Sequence, residues 1–184
     1  ARARQIQKGI DTRHSVPGQW GTALCMHTSG PSNKSGMSSA NVLVNADGSV
    51  QLSIGSCDIG QGCETAHAQL AAEALGISLD KVTVCAADTA TTPYDTGTFA
   101  SSQMFVGGNA VLRAANNALL QMRETLAEQE GVQVEDIAYA NGLFTLPTGT
   151  YPFCQAAAQA LYGSPGNVIA GHGSYRAREA PPVF

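Results

Sequence analysis

The sequence predicts an α+β fold in which a mixed or antiparallel sheet with hairpins packs against two main helices, at about residues 64–75 and 102–129. Two turn signals predict the hairpins. Residues 45–49 carry Asp47-Gly48 between two apolar runs, and Asn141-Gly142 is a favoured two-residue turn. Strands and helices alternate irregularly and hairpins outnumber crossovers, so a doubly wound parallel sheet is disfavoured.

The two main helices are predicted from apolar residues at helical spacing. In the first, two adjoining stripes, Ala66, Leu70 and Ala74 and then Ala71 and Leu75, form a narrow face of small residues, and Gly76 is expected to cap the helix. A shorter third helix is predicted at 153–162, followed by a last strand near 168–175. In the second main helix apolar side chains recur along the whole length, at Phe105, Val106, Val111, Leu112, Ala115, Leu119, Met122 and Leu126.

Composition bounds the class of protein. With 184 residues, 43% of them hydrophobic, the chain can form one domain with its own core, predicted at 19–184 after a connector at 1–18. The net charge of -4 and ten scattered Lys and Arg residues argue against a nucleic-acid surface. No apolar run approaches the roughly 20 residues that span a bilayer, and no signal peptide is recognisable, so a cytoplasmic protein without a membrane partner is expected. Five cysteines without a Cys-x-x-Cys favour free thiols over disulfides or a metal site.

Two glycine-containing segments stand at the amino-terminal ends, here called the mouths, of the two main predicted helices. Gly60-Gln61-Gly62 precedes the first helix, and residues 97–103 precede the second. The first amides of a helix lack intrahelical partners and carry the positive end of the helix dipole, so each mouth can hold an anion. A Walker loop is excluded because Gln61 and Gly62 stand where it needs Lys and Ser or Thr, and no Gly-x-Gly-x-x-Gly occurs. The residues alone therefore predict an anionic ligand between two helix mouths.

A series of motifs carries a family resemblance by its order and spacing. In chain order they are Asp47-Gly48-Ser49-Val50, Asp58-Ile59-Gly60-Gln61-Gly62 with Thr65, Gln69-x-Ala71-Ala72-Glu73-x-Leu75-Gly76, Asp88-Thr89 and Gly97-Thr98-x-Ala100-Ser101. This series resembles the molybdopterin-binding subunit of the xanthine dehydrogenase and aldehyde oxidase family, the molybdenum hydroxylases. The resemblance is close over residues 20–115 and continues more loosely to about residue 177, within the carboxyl-terminal half of that subunit.

The resemblance implies a set of cofactor-binding residues and no catalytic or metal-ligating residue in this chain. Gly60, Gln61 and Gly62 match the segment that contacts the pyranopterin. In the family, a second segment lies beside the metal and the cofactor phosphate. Its matching residues here are Thr98, Ala100 and Ser101, and the match extends to Ser102 and Gln103. Two simpler interpretations remain open: a tight strand-to-helix turn with an exposed Gln61, and ordinary capping of the second helix by Thr98 or Ser101.

The resemblance implies that the intact enzyme hydroxylates its substrate with a molybdenum–molybdopterin cofactor. The isolated fragment need not retain that cofactor. Such oxidoreductases insert a water-derived oxygen into a C–H bond of a small heterocycle or an aldehyde. The implied partners are the remainder of the molybdopterin subunit and the iron–sulfur and flavin subunits or domains. The glutamate that the family uses as a base lies in a glycine-rich segment that these 184 residues lack, so the fragment alone is expected to be inactive. The alternative is a non-catalytic module for anionic-cofactor binding or assembly.

Other polar residues have simpler expected roles. Glu64 and His67 form a Glu-x-x-His on one helix, the spacing found in di-iron bundles. Since no further carboxylates stand at that spacing, the pair is expected to face solvent or to support neighbouring groups. Asp88 and Asp95 are interpreted as turn or capping residues around Pro93.

Overall fold

The computed structural model describes residues 23–25 and 36–177, and the predicted connector at 1–18 lies outside them. Within the described part of the chain, strands and helices form two sheets and three helices, so the α+β prediction is confirmed. The elements in chain order are β1 (Met37–Val44), β2 (Val50–Ile54), α1 (Cys63–Leu75), β3 (Val82–Ala86), α2 (Gln103–Glu130), β4 (Ala138–Ala140), β5 (Leu143–Leu146), β6 (Gly149–Pro152), α3 (Phe153–Tyr162) and β7 (Ala170–Arg176).

The larger sheet is mixed and has the strand order β3-β2-β1-β7. β1 runs antiparallel to both β2 and β7, whereas β2 and β3 are parallel and are joined through α1. The predicted β1–β2 hairpin is confirmed, and its turn is closed where Asp47 Oδ1 accepts a hydrogen bond from the Ser49 amide at 2.9 Å. Because β2 leads into α1, the carboxyl end of this central strand carries the Gly60-Gln61-Gly62 segment.

The smaller sheet is antiparallel in the order β4-β5-β6. Its first turn is the predicted Asn141-Gly142, with φ of 51° and 75°, the positive values that a type I′ turn needs at both positions. The third strand was not predicted: Gly149–Pro152 has no apolar alternation and was expected to lead directly into α3. Pairing with β5 supplies the extended conformation that the local sequence does not favour.

The core lies between the larger sheet and the helices. β1 and β2 alternate between buried and exposed residues, and their inward side chains include Val42, Leu52 and Ile54. α2 covers this face with buried residues such as Met122 and Leu126, as its apolar spacing predicted. The α2 helix is therefore held along most of its length by the sheet.

β7 and α2 approach each other closely in this core. Gly171 and Gly173 of β7 face Ala110, Ala114 and Ala118 of α2, which are spaced by about one helical turn. These five residues form the β7–α2 seam. A Cβ atom on Gly173 would lie 2.3 Å from the Ala110 carbonyl oxygen and 2.4 Å from the Ala114 nitrogen. Only glycine allows the strand backbone to come so near the helix.

α1 buries one stripe of residues spaced by four. Cys63, His67, Ala71 and Leu75 are all buried, which confirms the predicted Ala71 and Leu75 face and extends it. Gly76 ends the helix in the left-handed conformation with φ of 59°, as predicted. Of the two roles expected for His67, facing solvent is wrong, because the spacing of four places its ring on this buried stripe. Its expected role in supporting neighbouring groups stays a prediction.

Candidate functional site

Two loops meet beside the carboxyl end of β2. The first loop, residues 55–62, joins β2 to α1, and the second loop, residues 95–102, leads into α2. Thr98 Oγ1 donates a hydrogen bond to the Cys57 carbonyl oxygen at 2.8 Å and accepts one from the Cys57 amide at 3.3 Å. One threonine side chain thus fastens the second loop to the first, and the two helix mouths lie side by side.

The first loop presents an open glycine surface. Gly60 and Gly62 have φ of 101° and 77°, and apart from the adjoining residues no atom of the described part of the chain lies within 4 Å of a Cβ built on either residue. Between them, the exposed Gln61 accepts a hydrogen bond from the Ile59 amide through Oε1 at 2.7 Å. Its side-chain NH₂ group makes no hydrogen bond to the described residues, so it is available to donate to a ligand.

The positive charge at the amino-terminal end of α1 is already balanced by a carboxylate of this chain, that of Asp58. Asp58 Oδ1 accepts a hydrogen bond from the Gly60 amide at 2.7 Å, and this bond does most to hold the pKa of Asp58 below its usual value. Smaller contributions of the same sign come from the amides of Gly62, Glu64 and Cys63, while slight burial opposes them. A second anion at this mouth would be repelled, so the first loop suits a neutral, hydrogen-bonding part of a ligand.

The second loop has the opposite character. Ala100 and Ser101 both adopt the left-handed conformation, with φ of 51° and 53°, at a cost of about 1–2 kcal/mol for each residue. Ser102 stands at the N-cap of α2, but no side chain caps the helix and no acidic residue lies in its first turn. The capping interpretation is therefore wrong: Thr98 bonds to Cys57 instead, and the first amides of α2 remain open to an anion.

The last two predicted site residues point into the protein. Ser102 and Gln103 are buried, and Ser102 Oγ donates to the Phe99 carbonyl oxygen at 2.8 Å. Gln103 Nε2 donates to Asp95 Oδ2 at 3.2 Å, and Asp95 Oδ1 accepts from the Gly97 amide at 2.6 Å. These side chains therefore shape the second loop from below, and Asp95 has the turn role that was predicted.

His67 is the residue of this region that the sequence interpretation misplaced. Its ring is fully buried, and neither ring nitrogen has a hydrogen-bond partner in the described part of the chain. A Cβ on Gly107 would lie 3.0 Å from His67 Nε2 and 2.6 Å from Gln103 Nε2. The ring and the Gln103 amide thus share the space that a side chain at Gly107 would fill.

The stability of the domain is expected to fall as the pH is lowered below the ordinary histidine pKa. Burial lowers the pKa of His67, and the charge of Asp95 opposes this only in part. The unfolded chain then binds a proton that the folded chain resists, so the contribution is complete above about pH 6.5 and is lost as the pH falls through the window below it. Urea unfolding measured from about pH 5.5 to 8 should show this slope, which spans the range where histidine titrates.

His67→Phe should remove that slope, and His172→Phe, at an exposed position on β7, should keep it. If the slope survives in His67→Phe, another group is responsible for it.

Two surveys of the described residues bear on the class of site. Across residues 23–25 and 36–177, no three His, Cys, Asp or Glu side chains are grouped so that they could hold a metal ion. No helix in the same ranges is both long enough and apolar enough to cross a bilayer.

Comparison with protein families decides the relationship. Residues 3–183 match the family described as the molybdopterin cofactor-binding domain, which is nearly the whole chain. The chain belongs to this family. The first and second loops are thus loops of a molybdopterin cofactor-binding domain, in agreement with the resemblance given by the motifs.

Relatives of this molybdopterin cofactor-binding domain are much longer proteins. The putative xanthine dehydrogenase molybdenum-binding subunit of Escherichia coli is 35% identical over 100 residues, which is 54% of this chain and 13% of that protein. The probable hypoxanthine oxidase of Escherichia coli is 31% identical over 165 residues, 86% of this chain and 17% of the relative. The CO dehydrogenase structure from Oligotropha carboxidovorans aligns with a TM-score of 0.71 and 26% identity, over 78% of this chain and 18% of that one. The chain thus spans less than a fifth of each.

Proposed function

We propose that this chain is part of a molybdenum hydroxylase and holds the molybdenum–molybdopterin cofactor between the first and second loops. The observation that carries the proposal is the Thr98–Cys57 pair, which brings an open glycine surface and an uncapped helix mouth together on one face. Membership of the molybdopterin cofactor-binding domain family supports the same ligand.

The two loops would divide the cofactor between them. Gly60, Gln61 and Gly62 form the surface suited to the pterin, because the backbone is open there and the Gln61 NH₂ group can donate. The anionic end suits the second loop, because no acidic residue lies in the first turn of α2 and the Asp95 carboxylate of this loop accepts hydrogen bonds from the Gly97 amide and the Gln103 side chain. Thr98, Ala100 and Ser101 would line that end, and Gln103 would contribute its backbone amide. Ser102 would keep the shape of the loop, because its own amide donates to the Phe99 carbonyl oxygen at 3.1 Å.

Two observations support the fit between these residues and the group. Among the described residues, none but the adjoining ones reaches the space over Gly60 and Gly62, so a flat ring system can approach the backbone there. The consecutive left-handed Ala100 and Ser101 keep a strained loop shape of the kind found at ligand sites. When bound, the cofactor supplies the redox chemistry by which a water-derived oxygen enters a C–H bond.

The same proposal extends to the rest of the enzyme. The substrate is a small heterocycle or an aldehyde, since similar proteins include a xanthine dehydrogenase molybdenum-binding subunit and a probable aldehyde oxidase. The partners are the remainder of the molybdopterin subunit and iron–sulfur and flavin subunits or domains, as the motif resemblance implies, in a cytoplasmic enzyme. The relatives are multi-subunit or multidomain proteins, which supports the presence of partners in general.

Gln61→Ala in the complete enzyme is the direct test. The variant should retain less molybdenum and turn over more slowly, because it loses one directed hydrogen bond worth about 0.5 to 3 kcal/mol. Its melting temperature should change little, since Gln61 is exposed. Molybdenum per subunit, the steady-state rate and thermal unfolding are compared with the unmutated enzyme.

The matched control is Gln155→Ala, an exposed glutamine on α3, which should keep the molybdenum content and the rate. Full molybdenum and full rate in Gln61→Ala would make Gln61 a residue of a structural turn. A variant that simply melts would make it a folding residue.

A further inference from the structure

A buried polar group lies beneath the second loop, where α1 and α2 face each other. It consists of His67 on α1 and of Gln103 with Gly107 on α2, and it continues to Asp95 in the loop. The ring of His67 is fully buried and has no hydrogen-bond partner among the described residues. An unpaired imidazole in a core is unfavourable, and an apolar ring of similar size would fill the same space without that cost.

A chain of contacts leads from this group to the predicted cofactor face. Gln103 Nε2 donates to Asp95 Oδ2 at 3.2 Å, and Asp95 Oδ1 holds the Gly97 amide at 2.6 Å. The next residue is Thr98, whose hydroxyl fastens the second loop to Cys57. The orientation of the Gln103 side chain thus affects where Thr98 stands.

His67 is the group placed to set that orientation. A side-chain amide has two N–H groups, and the geometry above uses one of them for Asp95. His67 Nε2 is a further polar atom close by, since it and Gln103 Nε2 would lie 3.0 Å and 2.6 Å from a Cβ built on Gly107. Because burial lowers the pKa of His67, its ring is neutral at physiological pH and can accept a hydrogen bond.

We propose that His67 is a positioning residue: its Nε2 accepts the second N–H of Gln103 in the loaded enzyme and thereby holds Asp95 and the second loop in the shape that receives the cofactor. This proposal rests on the proposed function. A residue of α1 would then help to shape the loop at the amino-terminal end of α2, a different helix. It also explains why position 107 is glycine, since any side chain there would separate the imidazole from the amide.

The test uses His67→Phe, His67→Gln and Gln103→Leu in the complete enzyme, with molybdenum per subunit after extensive dialysis and melting temperature as readouts. His67→Phe should fold, because it replaces an unpaired polar ring by an apolar one, and should retain about fivefold less molybdenum, the effect of losing one hydrogen bond. His67→Gln keeps an acceptor and should recover most of that loss. His172→Phe, on exposed β7, is the control and should retain the wild-type content.

The double variant His67→Phe with Gln103→Leu separates positioning from general damage. If His67 acts through Gln103, the double variant loses no more molybdenum than Gln103→Leu alone, and Gln103→Leu tests the same chain of contacts if His67→Phe fails to fold. Additive losses would overturn the proposal, and so would wild-type retention in His67→Phe or no recovery in His67→Gln. Loss of molybdenum in Gln61→Ala together with full retention in His67→Phe would reject this inference while leaving the proposed function standing.

Discussion

Gly173→Ala is expected to destabilise the domain by about 3 kcal/mol, the upper part of the range for an overpacked core. The new Cβ would lie 2.3 Å from the Ala110 carbonyl oxygen and 2.4 Å from the Ala114 nitrogen, both backbone atoms of α2. Backbone atoms of a buried helix cannot move aside without shifting the helix from the sheet. For a domain of this size the melting temperature should fall by about 6 to 12 °C.

The matched control is Gly149→Ala, at the start of β6, where a built Cβ has no atom within 4 Å from residues 23–25 and 36–177 other than its chain neighbours. That variant should remain within about 0.5 kcal/mol of the unmutated protein, as at most surface positions. Equal melting temperatures for the two alanine variants would contradict the close approach of β7 to α2.

The second large effect is expected at the first loop, where we propose that the pterin binds. Gly62→Ala in the complete enzyme should lower the retained molybdenum by about tenfold, which corresponds to about 1.4 kcal/mol of lost binding. The added methyl group enters the open space over the first loop, which we propose the pterin occupies, and it strains a residue with φ of 77°. Molybdenum and pterin content after dialysis are the measurements.

Gly131→Ala separates strain from loss of the ligand surface. Gly131 caps the far end of α2 and has φ of 65°, and beyond its neighbours in the chain no described residue has an atom within 4 Å of a Cβ built on it. Both variants therefore carry a similar backbone cost of about 1–2 kcal/mol. If Gly131→Ala loses as much molybdenum as Gly62→Ala, the loss follows from lowered stability rather than from the first loop.

The parts of the fold that obey local rules were predictable from the sequence. Asn141-Gly142 and Gly76 supply the positive φ that a type I′ turn and a helix end require, and each stands where it was expected. β6 could not be found in the same way, because a four-residue strand containing glycine and proline owes its conformation to β5. The pairing of Gly171 and Gly173 with α2 was also hidden, because it joins segments far apart in the chain.

The placement of the two loops beside each other was predictable from the sequence, but the charges around them were not. The order of the motifs placed the two loops together, and the Thr98–Cys57 bonds agree with that placement. The motifs did not reveal that Asp58 takes the positive end of α1, because that depends on how the loop folds back on the helix. The burial of His67 could have been found, since it stands four residues from both Cys63 and Ala71.

The β7–α2 seam also sets the order in which a newly made chain can complete this face. α2 begins at Gln103, after β1 and β2, whereas β7, the third strand of the sheet that it contacts, begins only at Ala170. During synthesis the helix therefore leaves the ribosome long before β7 exists, and contacts between such distant segments form late. The mouth of α2 takes its final position once residues 170–176 have joined the sheet. On the proposed function, this face would therefore be ready for the cofactor only after β7 has been made.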